Sequence, residues 1–347
     1  MIGIFYGRSK GLANLMGKRG RRFQCSQVLA LLFAFVQAGA ATQPYDPLAV
    51  SANASVQTAD LTVYDAARKR DIPIRVYLPQ KKYPAPVVLF SHGLGGSREG
   101  NVFMGYHWAG RGYVSIFIQH PGSDTGVWQD KPPGQRMASM RRAASIENLM
   151  LRVEDVHAVL DQLEIWTKAD RHVLAGRMDL MRVGMSGHSF GAVTTQAVSG
   201  QTTAGGLLSF TDARIRAAIA FSPSCPRLAN PKRAFGKVKI PWMLMTGTKD
   251  VAIIGDADVE SRLAVFPALP PGSKYELVLY NAEHSAFTDR ALPGDKIPRN
   301  PNHHKVILAL STAFWDAYLG NNPEARIWLD GYGPRSIMEK RDRWQKK

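Results

Sequence analysis

Short continuous apolar runs recur along most of the chain, separated by polar or glycine-rich segments. Such runs lie at 87–90, 217–221 and 242–245, and largely apolar runs interrupted by one polar or charged residue lie at 113–118, 181–185 and 275–279. Runs of this length favour strands that are buried on both faces, as in a parallel sheet. Apolar positions three and four residues apart predict helices over 101–111, 137–165, 191–199 and 304–318. The alternation predicts one doubly wound α/β domain, with a mostly parallel sheet and helices on both faces.

Two segments before the first of these runs have a different pattern. Residues 61–64 and 72–77 alternate apolar and polar positions and flank a charged turn, which predicts an antiparallel hairpin at the N-terminal side of the sheet. Pro73 has no N–H to donate to a neighbouring strand, so it favours an edge position.

The N-terminal segment has the pattern of an export signal. No acidic residue precedes Asp46, basic residues cluster at 18–22, and the apolar run 28–36 is followed by the small residues of 38–41. The apolar run is shorter than the roughly 20 residues that a membrane-spanning helix needs. We therefore expect 1–41 to be a signal peptide of an exported protein, with an uncleaved anchor as the alternative and Met16 as an alternative start.

The remaining chain divides by composition. Small and polar residues at 42–58 indicate a linker. The predicted α/β domain then covers 59–320, and a basic C-terminal tail covers 321–347. Of 347 residues 45% are hydrophobic and 21% charged, which is ordinary for a globular protein. The formal net charge is +16, and +10 without residues 1–40. A basic surplus favours anionic surfaces such as envelopes, so we expect at most loose association with them, whereas its scatter along the chain is typical of a solvated surface. No recognisable nucleic-acid-binding module is present.

Cysteine usage excludes an intrachain disulfide in the exported chain. Cys25 lies in the predicted signal, which leaves Cys225 alone. We expect Cys225 to be a packed thiol, because no motif supports a nucleophilic role.

The stretch VGMSGHSFGAV places Ser189 between two glycines, after a predicted strand and before a predicted helix. A serine hydroxyl needs exposure and a neighbouring base to act as a nucleophile. In the G-x-S-x-G pattern the serine occupies a sharp corner, and the glycines leave room where Cβ atoms would clash. The alternative is a glycine-rich turn with an idle serine.

A second glycine-rich segment, Ser-His-Gly-Leu-Gly-Gly at 91–96, follows the strand at 87–90. Backbone N–H groups can stabilise the negative charge that develops in acyl transfer. We expect the N–H groups of Leu94 and Phe190 to form this oxyanion hole. Phosphate-binding glycine patterns are absent, and His92 reads as a structural residue of the loop.

Two further strand ends carry an acid and a base. Asp250 follows the predicted strand 242–245 after the short segment 246–249. Asp256 and Asp258 are the other candidates for the acid, but they lie further from the strand. His284 follows the strand 275–279, with His303 and His304 as rivals. The order Ser189, Asp250, His284 is the order found with a nucleophile of this kind, so these three form the predicted catalytic triad.

With these motifs the chain resembles the α/β-hydrolase superfamily, and within it the group of dienelactone-hydrolase-like proteins, platelet-activating-factor acetylhydrolases and polyester hydrolases. The resembling segments are VVLFSHGLGGSRE, HWAGRGYVSIFIQHPGSD, VGMSGHSFGAV, MTGTKD and AEHSAF, between residues 86 and 288. The resemblance implies hydrolysis of carboxylic esters without a cofactor, by the same triad and oxyanion hole. Dienelactone hydrolases have a cysteine nucleophile where this chain has Ser189, and the disulfide common in secreted polyester hydrolases cannot form here.

The segment 125–145 resembles an insertion over the site. Its Trp128 is expected to line the acyl pocket, or else to hold the loop to the body of the protein. The pocket volume is expected to depend on 125–145 and on 200–212, and His120 to Asp124 are expected to shape the rim.

The sequence therefore predicts an exported, monomeric serine esterase acting on small or short-chain esters. Alternatives are an amidase or peptidase, a lipase-type acyl hydrolase, and a non-catalytic binding protein with a hydrolase scaffold. No His, Asp or Cys cluster has metal-ligand spacing, so we expect no metal.

Overall fold

A nine-stranded mixed sheet dominates the computed structural model, which describes residues 44–51, 54–80 and 83–347. The strands are β1 Val56–Asp65, β2 Arg70–Pro79, β3 Ala85–Ser91, β4 Val114–Ile118, β5 Met178–His188, β6 Thr202–Thr203, β7 Leu208–Ser209, β8 Ile215–Phe221, β9 Trp242–Lys249, β10 Lys274–Glu283 and β11 Arg343–Lys346. The helices are α1 Val102–Gly110, α2 Pro133–Ala143, α3 Ile146–Trp166, α4 Phe190–Val198, α5 Pro231–Phe235, α6 Val259–Leu263, α7 Val265–Ala268, α8 Pro301–Tyr318, α9 Pro323–Asp330 and α10 Gly333–Ile337.

The sheet has the order β1-β2-β4-β3-β5-β8-β9-β10-β11, and β6 and β7 form a separate two-stranded hairpin. The central pairs from β4 to β10 are parallel, whereas β1–β2, β2–β4 and β10–β11 are antiparallel. This confirms the predicted α/β class, the mostly parallel sheet and the N-terminal antiparallel hairpin.

Alternation along β3 shows how the apolar runs are used. Val87 and Leu89 pack in a cluster with residues of α3, whereas Val88 and Phe90 pack in another cluster with residues of α1 and α8. Successive side chains of a strand point to opposite faces, so both faces of β3 are covered by helices. An unbroken apolar run is therefore what this strand needs.

The helix predicted over 137–165 is two helices. α2 ends at Ala143, and α3 starts at Ile146 after Ser145, whose hydroxyl accepts a hydrogen bond from the Asn148 N–H at 3.1 Å. Serine is a favoured N-cap, and here the local cap overrides the apolar spacing that runs across the break.

The edge position predicted for Pro73 is wrong, because β1 lies outside β2. The Pro73 carbonyl accepts from the N–H of Gln119, one residue beyond the end of β4 at Ile118. The N–H and C=O of one residue point to the same side of an antiparallel strand, so an N–H at position 73 would also face Gln119. Because β4 has ended there, the proline removes no hydrogen bond within the strand pair.

The predicted domain boundaries need correction at both ends. β1 begins at Val56, inside the segment assigned to a linker, and the Tyr45 hydroxyl donates to Asp316 at 2.8 Å. The segment assigned to a basic tail contains α9, α10 and β11, and Trp344 of β11 pairs with Leu277 of β10. Residues Tyr45–Lys347 thus form one compact unit.

The predicted signal peptide, 1–41, lies outside the described residues. None of the helices in the described ranges has the length and apolar character needed to span a bilayer.

We expect Trp344→Ala to lower the free energy of unfolding by about 2 kcal/mol, because this half-buried ring stacks on Tyr275 with centroids 5.5 Å apart. Urea denaturation measures the loss. Lys340→Ala, at an exposed position of the same segment, is the control and should change stability by less than about 0.5 kcal/mol. Equal stabilities of the two variants would contradict a structural role of β11.

Candidate active site

Ser189 occupies the corner between β5 and α4, with φ 58° and ψ −114°. Positive φ is uncommon for a residue with a Cβ and costs on the order of 1–3 kcal/mol. A Cβ at Gly187 would overlap the backbone of Gly191, and a Cβ at Gly191 would overlap the backbone of Ser91. The two glycines are therefore required by close backbone approach on each side of the serine.

The three predicted triad residues come together at the carboxyl ends of neighbouring strands. His284 Nε2 lies 2.8 Å from Ser189 Oγ, and His284 Nδ1 lies 2.7 Å from Asp250 Oδ1. Asp250 is fully buried, and its Oδ2 accepts from the Thr246 hydroxyl at 2.8 Å. A carboxylate only accepts, so Nδ1 carries the imidazole proton and Nε2 is free to accept from the serine hydroxyl.

The rival residues lie elsewhere. Asp256 is exposed, and Asp258 caps α6 by accepting from the Ser261 N–H at 2.9 Å. His303 is 3.2 Å from the carbonyl of Tyr280, and His304 stacks on Phe103. Their contacts are structural, with no link to Ser189 among them.

Arg262, in α6, is a site residue that the sequence did not indicate. It is buried, and its Nε lies 3.0 Å from Asp250 Oδ1 and donates to the Asp250 carbonyl at 2.7 Å. Its Nη1 donates to the carbonyl of Ser222 at 2.8 Å. Burial alone would raise the pKa of Asp250, but the charges of His284 and Arg262 outweigh it and hold that pKa below its usual value.

His188, the residue before the nucleophile, is also part of the site. Its ring is buried 4.6 Å from the ring of His284, and its Nε2 lies 3.2 Å from the carbonyl of His284. Burial, and then the neighbouring His284, lower the pKa of His188 well below its usual value. A neutral His188 can donate from Nε2 to that carbonyl and so fix the backbone of the base. No sequence signal distinguishes this residue from any other at the variable position of the motif.

The glycine-rich loop 92–96 lies against the nucleophile. A Cβ built on Gly93 would be 3.4 Å from the Cβ of Ser189, and Leu94 lines the same cavity as Ser189 and His284. The N–H of Phe190 belongs to the first turn of α4, where N–H groups have no acceptor within the helix. The oxyanion-hole role of Leu94 and Phe190 stays a prediction.

The site opens into a cavity of about 580 Å³. The apolar side chains of its wall are Leu94, Trp128, Met137, Met140, Ala252, Ile253, Ile254, Leu292 and Pro293. Trp128 also donates from Nε1 to the carbonyl of Gly95 at 2.8 Å, so it both lines the cavity and holds the loop. Either of its predicted uses fits this position, and its contact with substrate stays a prediction.

Two expectations about the cavity are wrong. Residues 200–212 do not line it; they contain the β6–β7 hairpin, whose Thr202 hydroxyl donates to the carbonyl of Arg233. His120 is not a rim residue, because it is fully buried behind the loop 92–96.

Cys225, expected to be a packed thiol, is buried.

No group of three or more His, Cys, Asp or Glu side chains within the described ranges is arranged to hold a metal ion. Comparison with family models and with curated proteins gave no match to this chain.

Because the pKa of Asp250 is lowered in the folded protein, its carboxylate stabilises the fold above about pH 4 and loses this effect as the pH falls further. We expect the wild type to lose about 1 kcal/mol more per pH unit below pH 4 than Asp250→Asn. Urea unfolding at several pH values measures both slopes. Asp256→Asn, at an exposed position, should keep the wild-type slope. Parallel profiles for the wild type and Asp250→Asn would contradict the lowered pKa.

Proposed function

We propose that this protein is an exported serine hydrolase that cleaves carboxylic esters through an acyl-enzyme, and that it has the α/β-hydrolase fold. The observation that carries the proposal is the pair of short distances at His284, 2.8 Å to Ser189 Oγ and 2.7 Å to Asp250 Oδ1. A nucleophile, a base and an orienting acid within hydrogen-bond range of one another are the arrangement that activates a serine.

The strand ends support the fold assignment. The nucleophile follows β5 at a strand-to-helix corner, the acid follows β9, and the base follows β10. This is the chain order Ser, Asp, His that accompanies a G-x-S-x-G corner. The loop after β3 lies beside the corner, where a second oxyanion donor is needed.

In the proposed mechanism the Ser189 oxygen attacks the ester carbonyl while its proton passes to His284 Nε2. Asp250 holds the imidazole in the required tautomer and stabilises the imidazolium that forms. The N–H groups of Leu94 and Phe190 receive the developing oxyanion. The alcohol leaves with the proton from His284. A water molecule then gives a proton to His284 and attacks the acyl-enzyme, and the carboxylic acid leaves as Ser189 takes the proton back. No cofactor takes part in these steps.

The cavity supports a small apolar acyl group. Its wall beside Ser189 combines Leu94 with Trp128, Met137 and Met140 of the insertion 125–145. A volume of about 580 Å³ is within the range of pockets for small molecules. A short-chain ester is therefore the proposed substrate class, and a long-chain lipid is the alternative.

The strained backbone of Ser189 argues against a purely binding role. The positive φ of Ser189 costs free energy that a non-catalytic chain could avoid with glycine at this position. An amidase or peptidase activity would use the same residues but needs a donor to the leaving amine, and no observation favours it.

Export by the N-terminal segment and loose association with anionic envelope surfaces remain part of the proposal. Their support is the sequence alone: the basic, apolar and small-residue order of 1–41 and the net charge of +10 that the chain has without residues 1–40. The proposed protein acts as a monomer on a small-molecule ester.

We expect a fluorophosphonate probe to label the wild type, because it reacts with an activated serine, and not to label Ser189→Ala. Labelling is read by intact mass. Ser285→Ala is the control, since this buried serine is next to His284 in the chain and should leave labelling unchanged. A folded wild type that the probe does not modify would favour the binding-protein alternative.

With p-nitrophenyl esters we expect the highest kcat/KM for acetate or butyrate. Met140→Ala should raise the octanoate-to-butyrate ratio of kcat/KM by about tenfold, because the shorter side chain enlarges the apolar cavity by the volume of several methylene groups. Met181→Ala, at a position 71% exposed on β5, should leave the ratio unchanged. A long-chain optimum in the wild type would instead indicate a lipase.

A further inference from the structure

A fully buried guanidinium lies behind the proposed oxyanion hole. Arg152 of α3 is 0% exposed, and its Cζ lies 4.7 Å from the ring centroid of Phe190. A buried cation costs several kcal/mol unless its donors are used well. The proposed mechanism gives Arg152 no chemical step, so its partners must explain its presence.

Two of these partners belong to the two halves of the oxyanion hole, and a third is the hydroxyl of Ser123, which accepts from Arg152 Nη1 at 2.9 Å. Arg152 Nη2 donates to the carbonyl of His92, at the start of the loop that carries Leu94. Arg152 Nε donates at 3.0 Å to the hydroxyl of Thr194, which in turn donates at 3.0 Å to the carbonyl of Phe190. The guanidinium is planar and rigid, so these contacts set the separation of the loop and α4.

Hydrogen bonds within the loop fix the orientation of the Gly93–Leu94 peptide unit. The Gly93 carbonyl accepts from His92 Nδ1 at 2.6 Å and from the Gly96 N–H at 3.0 Å. His92 Nε2 accepts from the N–H of His120, so Nδ1 must carry the proton. In a trans peptide the N–H points opposite to the carbonyl, so the Leu94 N–H is held facing away from the His92 ring.

A second Ser–His–Asp arrangement supports Arg152 from behind. Ser91 Oγ accepts from Arg152 Nη2 at 3.0 Å and lies 2.9 Å from His120 Nε2. His120 Nδ1 lies 3.0 Å from Asp155 Oδ2. All three are fully buried, so solvent does not reach this serine. Since Arg152 only donates, the Ser91 hydroxyl proton is directed to His120.

We propose that Arg152 is a positioning residue that sets the distance between the Leu94 and Phe190 N–H groups, with Ser91, His120 and Asp155 holding its guanidinium in place. This inference rests on the proposed esterase function. Loss of the tie between loop and helix should lower kcat and leave KM little changed, because oxyanion contacts are made mainly in the transition state.

Two neighbouring threonines of α4 provide a matched test. Thr194 and Thr195 are both buried, and each donates to the carbonyl four residues earlier, but only Thr194 contacts Arg152. We expect Thr194→Val to lower kcat about tenfold with KM within about twofold, since misplacement near 1 Å can cost up to about 10²-fold. Thr195→Val should keep kcat within about twofold of the wild type. All rates are divided by the active-site concentration titrated with a fluorophosphonate.

Arg152→Lys is the second variant, because lysine keeps the positive charge but lacks the planar guanidinium with its several donors. We expect kcat per titrated site to fall about 10- to 100-fold, and a trifluoromethyl ketone, which forms a tetrahedral adduct on Ser189, to bind weaker by a similar factor. A structural role alone would lower the melting temperature and leave kcat per titrated site unchanged. If Arg152→Lys does not fold, the threonine pair decides.

The outcomes separate this inference from the function on which it rests. A wild type that neither reacts with the fluorophosphonate nor turns over esters overturns the proposed function, and the positioning role falls with it. An active wild type whose kcat per titrated site is equal in Thr194→Val and Thr195→Val overturns the positioning role alone.

Discussion

The close approach of three backbone segments at the end of β5 is the constraint on which the site depends. The chain can turn from β5 into α4 at Ser189 only because Gly187 and Gly191 have no Cβ, and Gly191 also meets the backbone of Ser91 in β3. The same contact brings the loop after β3 against the serine. This backbone contact therefore brings the nucleophile and the loop with its proposed oxyanion donor side by side.

Buried cations then stabilise this arrangement from two sides. Arg152 lies behind the loop 92–96, and Arg262 lies behind Asp250. Each donates to backbone carbonyls as well as to side chains, which compensates the desolvation of its charge. Because such donors are rigid and removed from water, the groups that they hold are already in place before a ligand binds.

The pattern of the sequence predicted most elements, and its errors have physical causes. Continuous apolar runs marked the central strands because both of their faces are covered by helices. Apolar spacing does not indicate the break between α2 and α3, because the cap at Ser145 is a local hydrogen bond. The segment 321–347 resembles a tail in sequence because it is basic and because its last strand, β11, has a single apolar residue, Trp344.

The sequence by itself determined the central strands and the glycine-flanked corner, because each is encoded within a few residues by apolar period or backbone preference, and it fixed the chain order of Ser189, Asp250 and His284. The strands β9 and β10 extend four residues beyond their predicted ends, to Lys249 and Glu283. Only the tertiary structure decided that Arg152 and Arg262 are buried at the site. Arginines on helices are ordinary surface residues by local pattern, and their partners come from other strands and loops. Which polar groups meet depends on the order of strands in the sheet, which no local pattern specifies.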